Sequence, residues 1–370
     1  MNPLILRNIF LFFCLMLMTG LPARSESLTP SQYPSLISCL RQNDPLYFCN
    51  EKVPLKNQEV RERFEKELLL TLWDRAQVIL WLKRAGRYMP YIEKMLKQNR
   101  LPDDLKYVPI IESALQPHAG SSKGAMGFWQ FMRSTGQNYG LIVDSETDGR
   151  RNIFKSTGAA MLYLEYLYEK FGSWTLAAAA YNMGENRLET EITVQETDDY
   201  YQLYLSQETQ RYILKLISVK LILSDPGKYG FSMIRSDKYP QLQFDRVQVE
   251  IFRETPVRLI ARAAKTYFKV IKDLNPEIRG YYLHPGNHEI LIPKGASRKF
   301  RKRYNKLFNQ WIKDTEKNVY EVQQGDNLTF IAESFDVPLG ALLIWNRLDF
   351  NHTIHPGDRL IVHPGNRTRE

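Results

Sequence analysis

The feature that most narrows the fold is a repeat in the last third of the chain. At a constant spacing of 71 residues, Ile251 matches Val322, Ile260-Ala261 matches Ile331-Ala332, Asn275 matches Asn346, Pro285-Gly286 matches Pro356-Gly357 and Pro293 matches Pro364. No gap is needed. Composition bias does not hold an Asn, a Pro-Gly pair and a Pro in one register. Short β-like runs flank the copies, at 247–252 and 289–292 in the first and at 319–322 and 360–362 in the second. Each copy reads strand, helix, helix, turn, strand, with the Pro-Gly turn leading into the last strand. The spacing predicts two small βααβ modules, at 246–295 and 318–365. The basic stretch between them, 296–317, reads as a helical linker and, most simply, a solvated connector.

Upstream of Asp225-Pro226-Gly227 the pattern is helical. Apolar residues recur at three- and four-residue spacing, as in Leu69, Leu72, Val78, Leu80 and Leu82. Breakers at Pro90, Pro102, Gly136 and Gly172-Ser173 separate the helices. The clearest are 157–171, 174–181 with its four consecutive Ala, and 208–223. Residues 26–84 form a lead-in, rich in Pro up to about residue 60. The fold class expected is mostly α, an all-helical domain followed by the two βααβ modules. A length of 370 residues leaves room for this division.

At the N-terminus, Arg7 precedes an apolar run at 9–18, followed by Thr19-Gly20-Leu21-Pro22-Ala23-Arg24-Ser25. A basic start, a short apolar stretch and small residues at a cleavage point read as a secretory signal, 1–25, with cut points after Ser25 or Ala23. The run is short for a membrane span, and Phe12-Phe13 makes Cys14 a poor lipidation site. Export places the product in the periplasm or cell envelope. There Cys39 and Cys49 are expected to pair across a short loop. The net charge is +9, or +7 without Arg7 and Arg24. The Lys and Arg residues are dispersed and no nucleic-acid motif is present. Anionic cell wall or a membrane surface would fit the same charge, as would a plain solvated basic surface, and no nucleic acid is expected.

The stretch 107–132 carries the chemistry. An apolar run, Val108-Pro109-Ile110-Ile111, leads directly into Glu112-Ser113. A carboxyl group at the end of an apolar helix is desolvated, which raises its pKa and keeps the proton that a general acid needs. Small residues at 119–127 let backbone approach a ligand closely. Trp129 and Gln130 offer stacking and amide hydrogen bonds, as a sugar cleft requires.

Glu112-Ser113, then Gly124-Ala125-Met126-Gly127-Phe128-Trp129-Gln130, then Ala180-Tyr181-Asn182 resemble the signature of the lytic transglycosylase family, whose fold is goose-type lysozyme-like. Glu208-Thr209 followed by Tyr212 resembles the family's Glu-Thr-x-x-Tyr helix. Asp148-Gly149-Arg150-Arg151-Asn152 resembles its Asp-x-Arg-x-Asp segment, with Asn in the last place. Met183 and Leu214 also depart from the family pattern. The resemblance covers 85–225. It implies that Glu112 is acid and then base, that Ser121 contacts the sugar, and that Gln130 and Met132 line the cleft. Tyr181 would hydrogen-bond near Glu112, Asn182 would hold neighbouring backbone, and Glu208 would bind substrate.

With one assigned carboxyl, the resemblance implies a lyase reaction on peptidoglycan. The sugar's own 6-hydroxyl closes onto C1, giving a 1,6-anhydro end without water. Ordinary glycosidases use two carboxylates. A hydrolytic outcome with Asp144 or Asp148 acting on water stays open, as does a non-catalytic wall-binding protein. No cofactor or metal is implied, His118 standing alone, and the chain is expected to act as a monomer.

The second repeat is similar to the LysM family through Gly325-Asp326-Asn327, Trp345-Asn346 and Pro356-Gly357. The resemblance implies binding of N-acetylglucosamine-containing glycan at Gly325, Asp326, Asn327, Asn346 and Pro356. The first repeat is degenerate. Glu254-Thr255 replaces Gly-Asp and Leu274 stands where Trp345 does, which suits a structural spacer.

Overall fold

The computed structural model describes residues 34–41 and 45–363. The expected signal segment and Pro364 lie outside them. A four-residue helix, α1 (Leu36–Cys39), precedes a hairpin of β1 (Tyr47–Phe48) and β2 (Glu51–Lys52). Seven helices then form a helical lobe: α2 (Gln58–Trp73), α3 (Arg75–Gln98), α4 (Val108–Ser113), α5 (Arg133–Asn138), α6 (Ile153–Phe171), α7 (Trp174–Met183) and α8 (Glu185–Gln195). An eighth, α9 (Gln207–Ser224), closes it.

Local sequence explains these boundaries. Asn57 caps α2 by accepting from the Glu59 amide at 3.0 Å, and α2 then buries Val60, Phe64, Leu68 and Leu72 at a spacing of four. Gly172 closes α6 in the left-handed region, at φ 69°. The side chains of Ala177 to Ala180 are fully buried, and their small size lets α6 and α9 approach α7. Leu214 is likewise buried inside α9. One hydrophobic cluster runs from Leu46 through α2 and α3 to Ile222 and Phe231. Residue 85 lies inside α3, so helices upstream of it share the core of the lobe.

No disulfide joins Cys39 and Cys49, against expectation. Cys49 sits in the hairpin turn at φ 50°, with its amide donating to Asp104 Oδ2 at 2.7 Å, and both side chains are buried in the core. Burial, with Asp104 nearby, pushes the Cys49 thiol upward.

Both repeats are βααβ. The first is β3 (Phe244–Ile251), α10 (Val257–Ala263), α11 (Phe268–Leu274) and β6 (Gly286–Pro293), with a small extra pair, β4 (Thr255–Pro256) and β5 (Tyr282–Leu283). The long strands are antiparallel, from Phe244 opposite Pro293 to Ile251 opposite Gly286. The second is β7 (Val319–Glu321), α13 (Leu328–Ser334), α14 (Leu339–Asn346) and β8 (Arg359–Ile361).

The intervening α12 (Phe300–Lys317) is more than a solvated connector. Phe300 and Tyr304 are buried on the core of the first repeat, with Leu307 and Phe308 beside them, and Arg303 Nε donates to the Ala263 carbonyl at 2.6 Å. Arg301, Lys302, Lys306 and Lys313 are exposed, off that apolar stripe. No single helix among the described residues is long and apolar enough to cross a membrane.

The repeats also differ in register. Asn275 brackets Leu291, 16 residues on, whereas Asn346 brackets Ile361, 15 residues on. The first copy thus holds one extra residue between its Pro-Gly turn and the strand residue that its Asn brackets, which the gap-free alignment hides.

Candidate active site

Glu112 occupies the last turn of α4, whose other residues Val108, Pro109 and Ile110 are buried. The helix stops at once, because Ala114 and Leu115 turn left-handed at φ 52° and 57°. Ser113 Oγ donates to the Phe128 carbonyl at 2.7 Å, tying the helix to the glycine loop. The Glu112 carboxyl opens on a cleft but is packed by protein around its stem. That desolvation raises its pKa to about 7, and the nearby charge of Glu208 adds to the rise. A hydrogen bond from Tyr212 and the charge of Lys215 oppose it. Near neutral pH a large fraction of Glu112 therefore keeps its proton.

The glycine loop is built on close backbone contact. At Gly127, φ 81°, an added Cβ would lie 2.0 Å from the Arg150 carbonyl oxygen. Gln130 adopts φ 49°, and its Nε2 donates to the Ala119 and Gly127 carbonyls at 3.0 and 2.9 Å. Ser121 Oγ accepts from the Ala125 amide at 3.0 Å. Arg150 clamps both ends of the stretch, with Nη1 donating to the Gly124 and Phe131 carbonyls at 2.9 and 3.0 Å. Arg150 is itself held by Asp148 through two bonds of 2.8 and 2.9 Å.

Glu112, Ser121, Gln130, Met132, Tyr181, Asn182 and Glu208 all line one cleft of about 760 Å³. A smaller cavity of about 350 Å³ continues it past Glu112, Asn182 and Glu208 to Arg211, Tyr212 and Lys215. Ser121, Glu208 and Met132 are exposed on the walls of the larger cleft. Asn182 Oδ1 accepts from Thr209 Oγ1 at 2.9 Å and so fastens α7 to α9.

The structure corrects or sharpens three readings of the sequence. Trp129 is fully buried, with Nε1 donating to Thr157 Oγ1 at 3.0 Å, so its ring cannot stack on a sugar. Tyr181 donates to the Trp129 carbonyl at 2.6 Å, while the hydroxyl bonded to Glu112 belongs to Tyr212, also at 2.6 Å. Burial, with Glu112 alongside, raises the pKa of both tyrosines, so each remains a donor. Third, Asp144 and Asp148 do not line the cleft. Asp144 accepts from the Glu146 and Thr147 amides. Burial would push Asp148 upward, but Arg150 more than offsets it and holds the carboxyl below its usual range.

In the second repeat the expected glycan residues are largely engaged in folding. Asp326 Oδ2 accepts from Tyr320 Oη and the Gln323 amide at 2.7 and 2.8 Å, and Asn327 caps α13. Asn346 accepts from the Ile361 amide and donates to the Leu342 and Ile361 carbonyls. Gly325 turns at φ 91°, and Pro356 leads into β8 beside the Gly357 amide, which donates to Val322. Phe330 and Phe350 are exposed aromatics on this module. Its Arg347 reaches the first repeat, pairing with Glu254 and lying 4.8 Å over the Tyr282 ring.

The transglycosylase SLT domain family matches residues 89–203, and the LysM domain family matches 320–363. The membrane-bound lytic murein transglycosylase D of Escherichia coli (strain K12) is 31% identical over 298 residues, which are 76% of this chain and 64% of that protein. The chain thus spans slightly under two thirds of that relative. A protein of Alteromonas sp. (strain M-1) named for tributyltin chloride resistance is 33% identical over 45% of this chain and 84% of its own length. The solved 70 kDa soluble lytic transglycosylase of Escherichia coli aligns with a TM-score of 0.35 and 19% identity, over 50% of this chain and 33% of that one.

Proposed function

From the match of 89–203 to the transglycosylase SLT domain family and of 320–363 to the LysM domain family, we propose that the chain is a peptidoglycan lytic transglycosylase held on its substrate by the second repeat. The observation that carries this reading is Glu112, its pKa raised by burial, in a cleft lined by Ser121, Gln130 and Glu208. In this reaction Glu112 gives its proton to the oxygen of the MurNAc–GlcNAc β-1,4 bond as that bond breaks. The resulting carboxylate, steadied by Tyr212, then takes the proton of the 6-hydroxyl, whose oxygen bonds to C1. The product is a 1,6-anhydroMurNAc end, and no water is consumed.

Tyr181 acts at one remove, by holding the Trp129 carbonyl and hence the turn that presents Gln130. Met132 and Glu208 contact the glycan from the cleft walls, and Asn182 holds α7 on α9. A hydrolytic muramidase would need a second carboxylate to activate water, and the structural engagement of Asp144 and Asp148 disfavours either for that role. We read 85–225 as the cutting unit and 318–365 as the glycan-holding unit. Gly325, Asp326, Asn327, Asn346 and Pro356 shape its glycan site. The site of action is the cell envelope, reached by export through 1–25, and the chain works as a monomer.

Digestion of purified peptidoglycan with product masses read by spectrometry tests this. Anhydro ends are expected. Hydrated reducing ends alone would make the enzyme a hydrolase, and no release at all would leave a binding protein.

A further inference from the structure

The first repeat meets the helical lobe where Phe244 packs edge-on against Phe154 at 5.4 Å with Arg246 over the same ring, and more tightly along a run of backbone contacts. The Glu277 carbonyl accepts from the Asp148 amide at 2.8 Å, and Ile278 pairs with Thr147 as an antiparallel bridge. The Arg279 amide donates to the Glu146 carbonyl at 2.7 Å, and Arg279 Nη1 to the Asp144 carbonyl at 3.1 Å. At the centre lies the Glu277 side chain, 4% exposed. Its Oε1 accepts from Asn152 Nδ2 at 2.7 Å, with Lys155 Nζ 3.7 Å away. Its Oε2 has no hydrogen-bond partner among the described residues.

Two sequence departures meet in this contact. The position equivalent to Glu277 in the second repeat is Leu348, an apolar residue packed on that module's core. A buried carboxylate in its place is costly without a donor. Asn152 is the residue that stands where the family segment ends in Asp. An Asp there would bring two carboxylates to hydrogen-bond distance. Asn avoids that clash. Its Oδ1 caps α6 by accepting from the Phe154 and Lys155 amides at 2.9 and 3.1 Å, and its Nδ2 remains for Glu277.

We propose that the first repeat serves as the outer brace of the catalytic cleft, with Glu277 as a positioning residue that acts through Asn152 and Asp148 on Arg150 and the glycine loop. The path is short. Glu277 fixes both ends of the 148–152 segment, Asp148 orients Arg150, and Arg150 holds the carbonyls of Gly124 and Phe131 that bracket Gln130. The activity part of this inference rests on the transglycosylase reading, while the brace itself does not.

The test uses the full chain with Asn152→Asp, Glu277→Gln and the two combined. It reads hydrogen exchange over 120–132, kcat and KM on a soluble glycan, and retention on insoluble wall. Asp is as good an N-cap as Asn, so the start of α6 survives the first change. Asn152→Asp is expected to speed exchange in the loop and lower kcat/KM by about tenfold each, with retention unchanged. Glu277→Gln alone should cost less than about threefold, since the amide keeps an acceptor for Asn152. The double variant should return to within about threefold of the parent, because the new amide can donate to the new carboxylate. Exchange and kcat/KM within about twofold of the parent for Asn152→Asp would overturn the brace, as would a double variant no better than that single one. If the parent itself leaves peptidoglycan uncut, the transglycosylase reading fails while the exchange measurements still decide the brace.

Discussion

In the first repeat Asn275 donates to the Ile271 and Leu291 carbonyls and accepts from the Leu291 amide. In the second, Asn346 makes the same three bonds to Leu342 and Ile361. The internal skeleton is thus shared, and the surroundings are not. The first copy is fixed to the helical lobe through Glu277 and overlaid by Arg347 and α12. The second keeps Phe330 and Phe350 in the open and touches the first through Arg347 on Glu254 and Tyr282. One βααβ skeleton therefore supports two uses. The two proposed uses differ at positions such as 277, a Glu facing the helical lobe in the first copy, where the second has the core-packed Leu348.

The sharpest way to separate cutting from holding is Glu112→Gln, which removes the proton but keeps the shape. Cleavage should fall by about 10³-fold or more, with retention on wall nearly unchanged. Appreciable cleavage in that variant would remove Glu112 from the mechanism. The paired amides come next. Asn275→Ala should cost about 2–3 kcal/mol because its partners are buried, and Asn346→Ala about 1–2 kcal/mol at its more open site. Only the first should also lower turnover on soluble glycan, as read by calorimetry beside kinetics. Equal effects on turnover would erase the distinction between the copies.

Deleting 318–370 should weaken retention on wall about tenfold or more while changing turnover on short glycans less than about twofold. A matched loss of both would place the second repeat in catalysis. The smallest effect concerns pH. Glu112 must be protonated to act, and its pKa is raised to about 7, so kcat/KM should decline as pH rises through that value. Tyr212 hydrogen-bonds the carboxylate and holds that pKa down, so Tyr212→Phe should move the alkaline limb upward by less than about one unit. A downward movement would contradict the role given to that bond.

Much of the cleft was legible because its residues sit in short motifs whose backbone demands are local. The seven residues expected to line it all do so. Trp129 was misplaced because a motif gives the order of side chains but not the face each one takes. Tyr212 lay in a recognised motif, yet its bond to Glu112 spans 100 residues and depends on α9 lying beside α4. The Glu277–Asn152 contact spans 125 residues and joins two units, so only an unexplained Asn at 152 hinted at it. The mostly α fold and both βααβ units followed from periodicity and from the repeat. The packing of α12 did not, since its basic residues masked the apolar stripe.

The glycine loop finally bears on how freely this chain can change. Gly124 and Gly127 are three residues apart, and both are left-handed, at φ 89° and 81°. Around Gly124 an added Cβ meets nothing within 4 Å, so a substitution there bears only the backbone cost of about 1 kcal/mol, less for Asn or Asp. At Gly127 the first atom of any side chain would fall on the Arg150 carbonyl. A library of variants should therefore fill with survivors at position 124 and stay nearly empty at 127.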